Sequence, residues 1–158
     1  APLEFSEMTT QILLSFEQKI EKIELAVECD VGVRLLVMGD VVHLYRAVYN
    51  LVDNAVKFIE QGGRLCLRAR KEGDFCVFSI SNTGAGISAE DLPHIFDRFY
   101  KADRSRSMDK TGAGLGLYIV KNIINLHGGE ISVRSDGGET EFELTLPLAP
   151  AQLPGSKQ

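Results

Sequence analysis

The chain lacks tryptophan, has only three cysteines, and has no apolar run near the roughly 18 residues of a membrane-spanning helix. An odd cysteine count without Cys-x-x-Cys spacing argues against a disulfide framework and against a cysteine zinc site. Since each cysteine lies in an apolar stretch, Cys29, Cys66 and Cys76 are predicted to be buried thiols. Basic residues are in the minority: 17 Lys and Arg against 22 Asp and Glu give a net charge of −5. This balance argues against nucleic-acid binding.

The remaining composition predicts one globular domain. With 158 residues, 44% apolar and 25% charged, the chain can bury a core without disulfides or structural metal. Three of the five prolines fall from Pro147 onward. We therefore expect a domain over residues 1–147 and a disordered tail over 148–158.

Hydrophobic periodicity and turn residues predict a mixture of helices and strands. The predicted order is a helix to Ile20 capped by Ser6, strands at 24–29 and 34–38 around a turn at 30–32, a helix from Asp40 to Ile59, a hairpin of 64–70 and 75–81, a helix at 115–126, and strands at 130–135 and 140–146. This order predicts an α+β fold, a two-layer sandwich with helices on one face of a mixed sheet.

The helix from Asp40 has an unusual polar side. Five polar residues fall within a stripe about 80° wide, and the apolar residues opposite them are predicted core. The stripe is His43, Arg46, Asn50, Asn54 and Lys57, and the predicted core is Val41, Leu44, Val48, Leu51, Val52, Ala55 and Ile59. Asparagine is a poor helix former, so its recurrence one turn apart indicates a role beyond solvation. Two carboxamides followed by a lysine could hold a metal ion and a phosphate, although an ordinary solvated face explains this helix equally well.

Two glycine clusters flank a basic segment. NTGAGI (82–87) follows an apolar strand, and GAGLGL (112–117) opens a helix whose N-terminal amides could bind phosphate. Residues 98–110 carry a net charge of +3, which leaves −8 on the rest of the chain. A basic segment between glycine hinges suits a lid over a polyanion, but each of the three features alone is also compatible with an ordinary surface loop.

Taken together, these segments resemble the catalytic, ATP-binding domain of two-component sensor histidine kinases, within the gyrase–chaperone–kinase–mismatch-repair ATPase superfamily. The resemblance runs from about Phe16 to Pro147, and five motifs occur in family order. They are NLVDNAVKF (50–58), NTGAGI (82–87), IFDRFY (95–100), GAGLGL (112–117) and HGGEISVRS (127–135). The resemblance implies a Bergerat-type ATP-binding fold with a mobile ATP lid.

The resemblance also implies roles for individual residues. Asn54 would ligate Mg²⁺, Asn50 would support it, and Lys57 and Lys101 would meet phosphates, so that Asn50, Lys57 and Lys101 form the catalytic set. Phe58 and Thr140 would lie beside adenine, and Phe96 and Phe99 would anchor the lid. The implied nucleotide-binding set is Asn50, Asn54, Lys57, Phe58, Asn82, Gly84, Gly86, Ile87, Phe99, Tyr100, Lys101, Gly112, Gly114, Leu115, Gly116, Leu117 and Thr140.

Two positions depart from the family pattern. Asn82 stands where the superfamily usually has an adenine-reading carboxylate, a substitution that many histidine kinases share. A carboxamide can accept from the adenine amino group and can also donate, so binding should survive with altered selectivity. Glu139 stands where a glycine is usual, which leaves the local backbone conformation open.

The expected reaction follows from Asn50, which occupies the position of the water-activating Glu in the superfamily's hydrolases. An amide cannot act as a general base, whereas phosphoryl transfer mainly requires positioning and charge neutralisation. We therefore expect a protein-histidine kinase domain that uses Mg²⁺ and ATP. The alternatives are a nucleotide-regulated protein-binding module without kinase activity, and a true ATPase.

The expected phosphate acceptor lies on another domain. The usual H-E-x-x-x-P acceptor motif is missing, and His43, His94 and His127 are poor candidates. The expected partners are a dimerisation and phosphoacceptor domain of the same protein and, indirectly, a response regulator. We expect a monomeric isolated chain, a homodimeric parent, a cytoplasmic location (with or without a membrane-bound sensor attached), and neither nucleic-acid binding nor direct membrane insertion.

Overall fold

A five-stranded mixed sheet carries the helices on one face, which confirms the predicted α+β class. The computed structural model describes residues 2–32, 34–98, 100 and 116–153. Its elements are β1 (Pro2–Glu4), α1 (Phe5–Ser15), α2 (Glu17–Lys22), β2 (Ala26–Asp30), β3 (Leu36–Met38), α3 (Val41–Phe58), β4 (Arg64–Glu72), β5 (Phe75–Thr83), α4 (Gly116–Leu126), β6 (Glu130–Asp136) and β7 (Glu139–Pro147), with short 3₁₀ turns at Leu92–His94 and Pro150–Gln152. None of the helices within these ranges combines the length and the apolar character of a membrane-spanning segment.

The sheet order is β2-β4-β5-β7-β6, with β2 and β4 parallel and the other neighbours antiparallel. Successive side chains along each strand point to opposite faces of the sheet, so that one face is apolar and the other polar. On β4, Leu65 and Leu67 are buried towards the helices, while Arg64 and Arg68 are exposed on the opposite face. The core therefore lies between the sheet and the helices.

The N-terminal third differs from its prediction in three respects. The predicted strands at 24–29 and 34–38 do not pair with each other, because β2 joins β4 and β3 pairs with β1. The first helix is two helices, divided at Phe16. Its cap is Glu4, whose carboxylate accepts from the Glu7 amide at 2.6 Å, whereas Ser6 is buried inside the helix.

Helix α3 confirms its prediction most closely. The Asp40 carboxylate caps it by accepting from the amides of Val42 and His43 at 2.9 and 3.1 Å, and these bonds, that of His43 first, lower the pKa of Asp40. The predicted core residues Leu44 to Ile59 are buried. Val41 is not, since it is 53% exposed in a first turn whose three residues all face solvent.

The C-terminal segment of the described chain is packed against β3, unlike the disordered tail expected from residue 148. Leu148 and Ala149 are buried, and the Ala149 amide donates to the carbonyl of Leu36 at 2.7 Å. Gln152 bonds the Leu36 amide through its side-chain oxygen and donates to the carbonyl of Arg34 at 2.9 Å. Residues 154–158 lie outside the described residues.

The cysteines bear out their prediction only in part. Cys76 is fully buried, and burial raises the pKa of its thiol to about 12. Cys66 is half-buried, but Cys29 is exposed. The reason is that β2 is an edge strand whose five residues are all exposed, so an apolar neighbourhood in sequence does not become a buried one.

Gly129 sits where α4 turns into β6, and its substitution should be costly. A Cβ built there would lie 1.8 Å from the backbone carbonyl oxygen of Thr145. We expect Gly129→Ala to lower the free energy of unfolding by about 2–3 kcal/mol, since a backbone shift must relieve the overlap. Gly32→Ala is the matched control, because nothing lies within 4 Å of its Cβ position, and it should be neutral within about 0.5 kcal/mol. Equal urea midpoints for both variants would contradict this account.

Candidate functional site

The polar stripe of α3 is graded in exposure. His43 and Arg46, near the helix start, are exposed, whereas Asn50 and Asn54 are half-buried. Within the described part of the chain, neither carboxamide has a hydrogen-bond partner, and α3 packs beside both α4 and β5. Two half-buried carboxamides with spare hydrogen-bonding capacity are suited to a ligand.

Lys57, the last member of the stripe, is ion-paired with Asp53. Its Nζ lies 3.2 Å from Asp53 Oδ2, and the two side chains are 34% and 24% exposed. The sequence reasoning missed Asp53, although opposite charges at i and i+4 on a helix are a sufficient signal. The ion pair holds the Lys57 ammonium group about one helical turn beyond Asn54, and the Asp53 carboxylate partly balances the charge of that ammonium group.

A buried polar floor lies on the helix side of the sheet. Asn82 on β5 and Thr140 on β7 are directly opposite in register, and they are 8% and 5% exposed. The sequence placed Asn82 in a loop, but β5 continues through Thr83 because Asn82 pairs with both Leu65 and Thr140. Two polar side chains thus interrupt an otherwise apolar layer.

Ser135, on β6, completes this floor and was missed by the sequence reasoning. Its Oγ accepts from the Ile87 amide at 2.8 Å and lies 2.8 Å from the Thr140 hydroxyl. A lone serine in a strand carries no sequence signal. Only the register Ser135↔Thr140 brings the two hydroxyls together.

The first glycine turn closes over the floor. Gly84 has φ 150° and Gly86 has φ 81°, both backbone conformations that glycine adopts without strain. The Gly84 amide donates to the Gly138 carbonyl at 3.0 Å, and a Cβ on Gly86 would lie 2.8 Å from Ser135 Oγ. Ile87 packs against the core, so the turn is anchored.

Phe58 lies beside this turn at the end of α3. A Cβ on Gly84 would be 3.2 Å from the Phe58 carbonyl oxygen and 3.9 Å from Asn82 Nδ2. The structure thus brings together Phe58, Asn82, Gly84, Gly86, Ile87 and Thr140 from the predicted set.

Two apolar residues, Ile95 and Phe96, anchor the chain after the turn at Leu92–His94. Ile95 is buried, and the Phe96 ring packs edge-on against Phe142 with centroids 6.0 Å apart. The Tyr100 hydroxyl donates to the Asp91 carboxylate, a bond that raises the pKa of Tyr100 to about 12. The structure therefore engages Tyr100 with the turn at Leu92–His94, and the predicted anchor Phe99 lies outside the described residues.

The second glycine segment is described only at its end. Helix α4 begins at exposed Gly116, and half-buried Leu117 packs against the core. The predicted residues Lys101, Gly112, Gly114 and Leu115 lie outside the described residues.

Glu139 has an ordinary strand conformation, which answers the question raised by its departure from the family pattern. The positive φ angles belong to Gly137 (56°) and Gly138 (79°), which make the β6–β7 turn. Glu139 pairs with Thr83 across the strands, and its carboxylate lies 3.5 Å from Arg134. The substitution is accommodated because its side chain is exposed.

No cluster of three or more His, Cys, Asp or Glu side chains suited to a metal ion occurs in the described ranges. A cation at the α3 stripe would therefore need amide oxygen together with oxygens of its ligand. Hard cations such as Mg²⁺ commonly bind through few protein oxygens plus substrate phosphates.

Comparison with known proteins identifies the class. Residues 39–150 match the family described as histidine kinase-, DNA gyrase B-, and HSP90-like ATPase. The chain belongs to this family of nucleotide-binding domains. The matched residues include the α3 stripe, both glycine segments and the polar floor.

Individual relatives are sensor kinases. The chain is 39% identical over 117 residues to the sensor histidine kinase CusS of Escherichia coli (strain K12), covering 74% of this chain and 24% of CusS. Its fold matches the mycobacterial sensor histidine kinase MprB with a TM-score of 0.81 at 31% identity, covering 95% of this chain and 99% of that one. It also matches full-length ShkA in complex with AMPPNP, with a TM-score of 0.78 at 27% identity, over 94% of this chain and 31% of ShkA. The chain spans about a fifth to a quarter of the length of the curated relatives it matches.

Proposed function

We propose that this chain binds Mg²⁺-ATP and donates the γ-phosphate to a histidine on a separate dimerisation and phosphoacceptor domain. The observation that carries the proposal is the pair of half-buried carboxamides, Asn50 and Asn54, beside the Asp53–Lys57 ion pair. The family relationship and the AMPPNP complex of ShkA support a nucleotide at this site.

The base end of the nucleotide is assigned to the polar floor. Asn82 and Thr140 offer hydrogen bonds to the edge of adenine, and the ring of Phe58, whose backbone adjoins the Gly84 turn, would lie beside it. The glycines at 84 and 86 let the backbone approach a flat ring without interference from a Cβ. Burial of Asn82 and Thr140 makes their hydrogen bonds selective, because an unmatched buried polar group is costly.

The phosphate end is assigned to the α3 stripe and the second glycine segment. Asn54 would supply an oxygen to Mg²⁺ and Asn50 would support it, which suits the oxygen chemistry that this ion requires. Bound there, Mg²⁺ would neutralise charge on the phosphates. Lys57 would meet a phosphate oxygen, with Lys101, Gly112, Gly114 and Leu115 as further proposed contacts.

The choice of reaction is assigned to Asn50. A carboxamide cannot take a proton from water, so hydrolysis lacks a general base at this position. Transfer to an incoming imidazole needs no such base, because a neutral ring nitrogen attacks the γ-phosphorus directly while the bond to the bridging oxygen breaks and ADP leaves. The chain's residues would then contribute positioning and charge neutralisation, which dominate phosphoryl transfer.

The acceptor is assigned to another domain because the chain's own histidines are engaged elsewhere. His43 lies 3.3 Å from Asp40, and His94 lies 3.0 Å from Asp97. His127 Nδ1 is 2.8 Å from the Ile123 carbonyl, while its Nε2 accepts from the Asp40 amide at 3.2 Å. A homodimeric parent protein, a response regulator downstream and a cytoplasmic location complete the proposal.

A transfer assay tests this function directly. The chain is incubated with Mg²⁺ and γ-labelled ATP, alone and with the parent's dimerisation domain as a separate polypeptide. We expect acid-labile label on the added domain and none on this chain, and an acceptor domain lacking its histidine should stay unlabelled. Label on this chain alone would overturn the acceptor assignment. Nucleotide binding without transfer would support a binding module, and steady phosphate release would support an ATPase.

A further inference from the structure

We infer that Ser135 sets the selectivity of the base site by fixing the direction in which the Thr140 hydroxyl donates. The inference rests on the proposed nucleotide site and deepens it. Ser135 occupies the middle of a short hydrogen-bond chain that runs from the Ile87 amide to Thr140.

The Ser135–Thr140 bond can run in either direction, and the bond from the Ile87 amide favours one of them. The Ile87 amide can only donate, so Ser135 Oγ is an acceptor in that 2.8 Å bond. The Ser135 hydrogen then has one acceptor among the described residues, Thr140 Oγ1 at 2.8 Å. If Ser135 donates to Thr140, the Thr140 hydrogen is left to point into the site.

Asn82 supplies the opposite polarity one strand away. Its Nδ2 donates to the Thr83 carbonyl at 3.1 Å, which leaves Oδ1 as the carboxamide's acceptor towards a ligand. The floor therefore presents an acceptor on β5 and a donor on β7, directly opposite in register. Adenine matches this order through its amino group and the adjacent ring nitrogen, whereas guanine presents the reverse, a carbonyl oxygen and a ring N–H.

Removal of Ser135 should therefore affect selectivity as well as affinity. Without the Ser135 hydroxyl that donates to it, Thr140 can rotate to accept a hydrogen bond from a ligand as readily as it donates one. A buried hydrogen bond that distinguishes two ligands is worth about tenfold or more in relative affinity, because the mismatched ligand leaves polar groups unpaired.

The test compares Kd for Mg²⁺-ATP and Mg²⁺-GTP in Ser135→Ala by calorimetry. Ser132→Ala is the matched control, since Ser132 lies on the same strand but is exposed on the opposite face of the sheet. We expect the ATP-to-GTP preference to fall about tenfold in Ser135→Ala, to stay unchanged in Ser132→Ala, and to be retained in Ser135→Thr, which keeps the hydroxyl. Thermal unfolding of each variant reports any loss of stability.

Each outcome bears on a distinct claim. Equal weakening of ATP and GTP in Ser135→Ala, with an unchanged ratio, would assign Ser135 a purely structural role and overturn the inference. Loss of selectivity in Ser135→Thr as well would also overturn it, since the hydroxyl would not be the cause. A wild-type chain that binds neither nucleotide would overturn the proposed function, and the inference with it.

Discussion

Asn50→Glu should increase the rate of phosphate release per bound ATP by about 10²–10⁴-fold, the range for a well-placed general base. Asn50 is half-buried and lies one turn before Asn54, so a carboxylate there would face the same phosphates and could take a proton from attacking water. ATP affinity should fall at the same time, because the new negative charge repels the phosphates. The variant would thus turn a transfer site towards hydrolysis.

The measurement is single-turnover phosphate release with protein in excess over ATP, at concentrations that saturate binding in every variant. Asn50→Gln is the matched control, because glutamine has the length of glutamate but cannot act as a base. We expect no rate gain in the Gln variant. A Glu variant that binds ATP yet releases phosphate no faster than wild type would show that residue 50 does not decide the reaction, and water exclusion would have to do so.

Asn54→Ala should weaken Mg²⁺-dependent ATP binding by about 10–100-fold, the range for residues around a bound metal. Adenosine binding should change little, since a nucleoside carries no phosphates to hold the ion. The helix should tolerate the change, because alanine favours helix and Asn54 makes no hydrogen bond within the described part of the chain. The expected signature is therefore a selective loss and not unfolding.

Two comparisons make this result decisive. Asn125→Ala removes an exposed carboxamide from α4 and should leave both ligands unaffected. Omission of Mg²⁺ should lower wild-type ATP affinity towards that of the Asn54 variant. Equal losses of ATP and adenosine in Asn54→Ala would mean that Asn54 maintains the fold and not the ion.

The parts of the fold that were predictable from sequence depend on local signals. Helix α3 has an Asp40 cap and a strong 3.6-residue period, and the β4–β5 hairpin has alternation around a Gly73 turn. Both predictions are confirmed, because the residues that form each element's hydrogen bonds are close together in sequence. The pairing of β2 was not predictable in this way. Its parallel partner β4 comes only after the whole of α3, and no local pattern specifies such a pairing.

The site likewise combines residues that local sequence patterns revealed with residues that only strand pairing brings together. The α3 stripe and the glycine turn were visible because unusual residues recur at fixed spacing. Ser135 was invisible, since its role depends on register across β6 and β7. The packing of Leu148 and Ala149 was missed because the proline content of this segment outweighed its apolar residues in the sequence reasoning.

The short strand β3 has a mechanical consequence for the domain. Residues near both ends of the described chain are hydrogen-bonded to β3. Strand β1 pairs with it through the backbone, and the Ala149 amide donates to the Leu36 carbonyl. A load applied between residues 2 and 153 would therefore be transmitted to β3 from both sides. Because α3 begins within three residues of the end of β3, such a load would be passed on to the helix that carries Asn50 and Asn54.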